Sequence, residues 1–320
     1  MIAADRPAAM LERGVVSLRE ELMPGVWLLR LHSPAIAAAA RPGQFVHLHC
    51  ADGTDPLLRR PFSFCDVDAV AGTYDILFNV TGRGTAILAE AEAGQHFDAL
   101  GPLGRPFSFP QDPGEGALLA VAGGLGVAPF PFVAREAARL GIEMRWLNGA
   151  YTRHQLLPPS TLPGVSEVQL ATDDGSAGAR GPVTALVPSA LGGVAMIHAC
   201  GPTPMLLALA RTLDQLAPRD SGMPPLKEAA REPGAAGIPG GGAPHQGPPC
   251  EVSLEAPMGC ALGTCLGCVV PAAGGGYTRV CVEGAVFERA EIDWDRLAAL
   301  GPLIHHGRPP ERLPAGAAVG

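Results

Sequence analysis

Four cysteines, Cys260, Cys265, Cys268 and Cys281, constrain this chain more than any other feature. They are spaced C-x4-C-x2-C-x12-C. Thiolates this close together can hold a metal ion or an iron–sulfur cluster. The C-x4-C-x2-C opening with a remote fourth cysteine is the plant-type [2Fe–2S] spacing. Gly259, Gly263 and Gly267 each stand one or two positions before a cysteine. A residue without Cβ there lets the backbone wrap tightly and turn its N–H groups toward sulfur. Zinc is the first rival, but structural zinc usually pairs two short Cys knuckles, and here the second half is one lone cysteine. A pair of disulfides is the other, and a reducing compartment disfavours it.

The rest of the chain bounds the setting. Residues 1–10 show no charged start followed by a long apolar core, so no signal peptide is expected. No apolar run approaches the ~18 residues of a membrane span. The expectation is a soluble, cytoplasmic protein. A net charge of −8 predicts neither a nucleic-acid nor an anionic-membrane surface. The other cysteines, Cys50, Cys65, Cys200 and Cys250, are scattered and read mostly as small buried hydrophobes.

The expected fold class is multi-domain, because the rhythm of the 320 residues changes along the chain. Residues 1–112 hold short strand-like runs, 26–32, 44–50 and 73–80, with turn signals at Pro42-Gly43, Asp52-Gly53 and Ala71-Gly72. Closely spaced short strands predict an antiparallel β-barrel, with one short helix at about 85–92. Residues 113–218 alternate apolar strands (117–122, 142–147, 166–171, 194–199) with helices at 127–140 and 203–216, which predicts an open α/β parallel sheet. Residues 219–249 are Gly/Pro-rich without apolar periodicity and read as a flexible linker. The cysteines define a small module at 250–290, and 291–320 is read as a C-terminal tail that ends Pro/Gly/Ala-rich.

Several short motifs carry chemistry. Arg60-Pro61-Phe62-Ser63 starts a barrel strand; an arginine there can neutralise a pyrophosphate, and a serine hydroxyl suits a flavin ring nitrogen. The alternative is an edge strand with a surface arginine. Gly84-Thr85, after Gly82, opens a helix and can cradle a phosphate, or Thr85 can be a plain helix cap. Gly123-Gly124-Leu125-Gly126 ends the first α/β strand, where small residues let a dinucleotide approach, or serve tight strand–helix packing alone. It lacks the G-x-G-x-x-G spacing. Cys200-Gly201-Pro202 follows the fourth strand; Cys200 could lie against a nicotinamide ring or be a buried thiol beside a helix start. Asp173-Asp174 ends the third strand and reads first as an Asp-Gly turn, second as a ribose ligand.

In this order the motifs resemble the ferredoxin–NADP reductase superfamily. The C-terminal C-x4-C-x2-C-x12-C narrows the resemblance to the electron-transfer subunits of type 1B dihydroorotate dehydrogenase, over about residues 14–290. Pro42-Gly-Gln-Phe45, Leu100-Gly-Pro-Leu-Gly104 and Glu255-Ala-Pro-Met258 support it. The resemblance implies an FAD-binding barrel, an NAD-binding α/β domain and a [2Fe–2S] module. It assigns FAD to Arg60, Pro61, Phe62, Ser63, Leu77, Phe78, Asn79, Gly84 and Thr85. It assigns NAD to Gly123, Gly124, Gly126, Asp174, Cys200, Gly201 and Pro202, and the cluster to Cys260, Cys265, Cys268 and Cys281. It also implies a partner, an FMN-containing catalytic subunit, with two of each chain in the assembly. Ala261 and Thr264 depart from the family pattern, which has glycine and alanine there. Two other readings compete. A reductase serving a monooxygenase or another redox partner would share the flavin and NAD parts but leave a longer gap before its fourth cysteine, and a zinc-bearing regulator would carry no flavin.

Overall fold

A computed structural model describes residues 9–51, 53–162, 164–216 and 247–301. The first body is a closed six-stranded antiparallel barrel. Its strands are β1 (Met10–Met23), β2 (Val26–His32), β3 (Phe45–His49), β4 (Arg60–Asp68), β5 (Thr73–Asn79) and β6 (His96–Leu103), in the order β1-β2-β5-β4-β3-β6. Helix α1 (Pro34–Ala39) follows β2, and α2 (Arg83–Ala89) follows β5. Alternation fills the interior: Val46 and Leu48 of β3, Phe62 and Phe64 of β4, and Ile76 and Phe78 of β5 share one buried cluster. Closure removes the exposed edges that an open antiparallel sheet would present.

The second body is a seven-stranded sheet. Strands β7 (Ala117–Gly123), β8 (Met144–Ala150), β9 (Val165–Thr172), β10 (Ala179–Arg180) and β11 (Val194–Cys200) run parallel, with α3 (Phe130–Leu140), the short α4 (Val187–Ala190) and α5 (Thr203–Leu216). All seven residues of β7 are buried, as expected for a central strand covered on both faces. Gly141, with φ +72, ends α3 in the left-handed conformation that favours glycine.

The cysteine segment is not a separate bead. Strand β12 (Cys250–Ser253) adds to β11 in parallel, from Ile197↔Cys250 to Cys200↔Ser253. A small hairpin, β13 (Val269–Pro271) with β14 (Tyr277–Arg279), follows, and β15 (Val286–Glu288) returns antiparallel to β12. The sheet order is β10-β9-β8-β7-β11-β12-β15. Burial of Cys250, Val252 and Phe287 in the core of the second body drives this annexation. Residues 291–301, read from sequence as part of a tail, are also folded: α6 (Trp294–Leu300) is capped by the Asp293 carboxylate and anchored by buried Ile292 and Leu297. The stretch read as a linker lies outside the described residues except for 247–249. Among the described residues, no helix is long and apolar enough to cross a membrane.

Candidate functional site

The barrel motif starts β4. Arg60 leads that strand, and its guanidinium donates to the carbonyls of Leu58 (2.5 Å) and Arg59 (3.3 Å). Gly84 lies beside it: a Cβ there would sit 3.3 Å from Arg60 Nε and 3.3 Å from Cys50 Sγ. The arginine and the glycine turn that the sequence reading named separately therefore form one corner. The Thr85 hydroxyl is engaged inside that corner. It accepts from the N–H of Thr81 (2.9 Å) and Gly82 (3.2 Å) and donates to the Gly82 carbonyl (3.0 Å). Phe62 and Phe78 face each other inside the barrel, their ring centroids 5.7 Å apart. Leu77, on the opposite face of β5, packs with Val127, Phe130 and Phe107 of the second core. These three side chains are packing elements. What their strands offer a ligand is backbone and the half-buried Pro61, Ser63 and Asn79.

The second cradle lies where the sheet changes direction. From β7 the chain winds to β8, β9 and β10 on one side and returns through β11 on the other. A crevice at such a switch point is where open α/β sheets bind ligands. Gly123-Gly124-Leu125-Gly126 ends β7 and Cys200-Gly201-Pro202 ends β11, so both turns border it. They interlock without room for a methyl. A Cβ on Gly126 would lie 2.3 Å from the Cys200 carbonyl oxygen, and one on Gly123 would lie 2.4 Å from Met205 Sδ. Gly124 takes φ +55, in the left-handed region. Cys200 is 2% exposed. Burial, with Glu255 nearby, pushes its thiol far above the ordinary range, so it is a neutral, non-nucleophilic group.

Farther along the same edge, Asp174 Oδ1 accepts from the Ser176 N–H (2.9 Å), and Gly175 takes φ +76. The Ser176 side chain and backbone hold the Asp174 carboxyl below the ordinary range. That is the turn role favoured from sequence; Asp173 stays exposed beside it. Two neighbours escaped the sequence reading. Tyr151 is exposed at the end of β8, and Arg153 donates through its backbone N–H to Ser176 Oγ (2.8 Å). Their signal was only their position, just past a strand end.

The four cysteines sit in two pairs. The backbone N–H groups of Leu262 (3.3 Å) and Cys265 (3.4 Å) donate to Cys260 Sγ, and Cys265 is exposed. Ala261 (φ 55), directly before Leu262, and Gly263 (φ 81) and Leu266 (φ 56) take left-handed backbone within this loop. A bond from the Thr264 hydroxyl, then the two amides, brings the Cys260 thiol down to about 6. Cys268 and Cys281 form the buried pair, and burial followed by the Cys268 neighbour pushes Cys281 up to about 12. The loop carrying Cys281 is fastened to the first loop by Arg279, which ion-pairs with Glu283 and donates to the Gly263 carbonyl (3.3 Å).

Among the described residues, no three His, Cys, Asp or Glu side chains close into the geometry of a single metal ion. A [2Fe–2S] centre spreads its thiolates over two irons. The chemistry of the donor set fits that group: four thiols on adjacent loops, with two backbone N–H groups already turned to the Cys260 sulfur.

Comparison with known proteins agrees. Residues 255–293 match the family described as the iron–sulfur cluster binding domain of dihydroorotate dehydrogenase B. A Geobacillus thermodenitrificans protein named dihydroorotate dehydrogenase B (NAD(+)), electron transfer subunit, is 33% identical over 283 residues, 88% of this chain and 98% of the relative. A protein of the same name from Desulforamulus reducens is 35% identical over 278 residues, 85% and 94% of the two chains. The structure of an NADH-dependent reduced ferredoxin–NADP oxidoreductase superposes with a TM-score of 0.71 at 25% identity, covering 89% of this chain and 91% of that one. The ferredoxin reductase in carbazole 1,9a-dioxygenase shares the fold, with a TM-score of 0.56 at 22% identity over 66% of this chain and 68% of that one.

Proposed function

The chain belongs to the family of dihydroorotate dehydrogenase B (NAD(+)) electron transfer subunits, and we propose that it carries electrons from a dihydroorotate-oxidising partner to NAD+ in pyrimidine biosynthesis. Its cofactors are a [2Fe–2S] cluster, FAD and NAD. When bound, they supply one-electron exchange at iron, conversion between one and two electrons at the flavin, and hydride acceptance at nicotinamide.

The observation that carries this reading is a line of register partners. Ser63 of β4 pairs with Phe45 of β3, and Phe45 pairs with Leu103 of β6. Phe45 and Leu103 share one buried cluster with Cys268 and Cys281. The close link is at Gly104, next to Leu103, where a Cβ would lie 3.0 Å from the Phe45 ring and 2.7 Å from the carbonyl oxygen of Gly284, three residues past Cys281, so β3 lies between the proposed flavin strand and the cysteine loop. Arg60 and the backbone of Gly84 and Thr85 would neutralise and cradle the FAD pyrophosphate, with Ser63 toward the ring. Pro61, Phe62, Leu77, Phe78 and Asn79 shape the strand edges beside it. Gly123, Gly124, Gly126, Cys200, Gly201 and Pro202 would frame the nicotinamide half of NAD, and Asp174 would set the turn at its ribose end. Cys260, Cys265, Cys268 and Cys281 would ligate the cluster.

The partner in this proposal is an FMN-containing catalytic subunit, two of each chain, in the cytoplasm. Exposed Cys265, flanked by exposed Leu262 and Leu266, is the side of the cluster loop open to it. The test is reconstitution. The purified chain should oxidise NADH with dye acceptors and form no orotate, and adding the catalytic subunit should restore dihydroorotate-dependent NAD+ reduction. Orotate formation by the chain alone would overturn the proposal.

A further inference from the structure

The crossing from β6 to β7 carries an arginine to which the electron route gives no task. The Arg105 backbone N–H donates to the Gly284 carbonyl, and Arg105 and Ala285 form an isolated parallel bridge. Its guanidinium grips Glu291 with two nitrogens, Nη1 to Oε1 at 3.2 Å and Nη2 to Oε2 at 2.6 Å, and lies over the Phe287 ring at 5.9 Å. Gly104 makes the approach possible: its φ is +81, and a Cβ there would lie 2.7 Å from the Gly284 oxygen.

Each end of this contact is tied to a redox element. On the cysteine side, Gly284 closes the loop that begins at Cys281, and Gly284 N–H donates to the Arg279 carbonyl (3.4 Å). The Glu291 carbonyl accepts from the Ala273 N–H (2.9 Å), just past β13, which starts directly after Cys268. On the barrel side, the Gly104 carbonyl accepts from buried Gln44 Nε2 (2.9 Å), and the Gln44 carbonyl accepts from the Phe64 N–H (3.2 Å) on the flavin strand.

We propose that Arg105 and Glu291 are positioning residues, a clamp that fixes the spacing between the flavin strand and the cysteine loops. The proposal rests on the electron-transfer reading above. Electron passage weakens exponentially with the gap crossed, and a two-pronged arginine–carboxylate contact fixes distance and angle together where a single bond fixes neither. The pair is partly exposed, 23% for Arg105 and 41% for Glu291. Such a pair contributes little to global stability, so its loss leaves the fold in place.

The test uses the full chain with its flavin and cluster, as wild type, Arg105→Gln and Glu291→Gln. After mixing with NADH, flavin reduction should keep its wild-type rate in both variants. The following iron–sulfur phase should slow by about tenfold or more. Amide hydrogen exchange at residues 281–287 should quicken, with the urea midpoint unchanged. Wild-type rates in the iron–sulfur phase, or a joint loss of stability and flavin, would overturn the clamp. A wild-type chain without iron–sulfur absorbance would instead overturn the functional reading; the exchange measurement would still decide whether Arg105 and Glu291 hold the loops.

Discussion

Gly126→Ala puts a methyl group where the backbone of the neighbouring strand already lies. The new Cβ would stand 2.3 Å from the Cys200 carbonyl oxygen and 2.5 Å from both the Cys200 carbonyl carbon and Gly201 Cα. Cβ contacts essentially never fall below 3.0 Å, and all three neighbours are backbone, so no flexible side chain can yield. The two turns must separate by roughly 0.7 Å or more, at the overpacking cost of about 1–3 kcal/mol typical of a full core. Because those turns border the crevice proposed for nicotinamide, the strain falls on the binding geometry. About 1.4 kcal/mol is tenfold in affinity, so the KM for NADH should rise about tenfold. Flavin and iron–sulfur absorbance per chain should not change. The assay is steady-state NADH oxidation with a dye acceptor, paired with urea unfolding. Gly192→Ala is the control, since nothing lies within 4 Å of its added Cβ. A Gly126→Ala chain with wild-type KM and stability would refute the interlocked-turn reasoning.

Three further outcomes are expected. His198 is fully buried, stacked 4.2 Å from the Phe107 ring, and burial holds it down to about 3. Below its unfolded value of about 6.5 the unfolded chain takes a proton that the folded His198 refuses, so this group's contribution to stability falls as pH drops from about 6.5 toward 3, opposed by Glu251, whose carboxylate lies 3.6 Å away and is raised by burial. His198→Phe should remove that loss between pH 7 and pH 5 in urea midpoints; an equal loss in the variant would sink the assignment. Cys265→Ser should abolish the iron–sulfur spectrum while flavin stays bound, and an intact cluster signal would contradict the ligand set. Thr264→Ala removes a hydroxyl donor from the Cys260 sulfur, so the cluster midpoint in a spectroscopic redox titration should move to lower potential. An unchanged midpoint would mean that the hydroxyl does not reach the thiolate.

What could be read in the sequence was local. Strand β2 and helix α5 appear at the residues their apolar patterns marked, 26–32 and 203–216. The cysteine module was legible because the spacing of its four cysteines is itself the signal. Strand β1 was not: its 14 residues cross register shifts between Val16 and Leu18 and between Glu21 and Met23, which break the alternation a reader would count. The annexation of β12 and β15 by the second sheet was also hidden, because neither the parallel pairing of β12 with β11 nor the antiparallel return of β15 to β12 leaves a local pattern in strands of four and three residues. Each glycine turn was visible singly. Their interlock, and the Arg105–Glu291 contact across 186 residues, exist only in three dimensions.

The central claim is that one chain joins a [2Fe–2S] centre to a flavin that exchanges electrons with NADH. Anaerobic titration of the purified chain with NADH, followed by absorbance and electron paramagnetic resonance, tests it most directly. The account predicts about two irons per chain, flavin bleaching by NADH, and the paramagnetic signal of a reduced [2Fe–2S] centre appearing in step. A colourless chain carrying zinc, or a flavin that NADH reduces with no iron–sulfur signal, would contradict it.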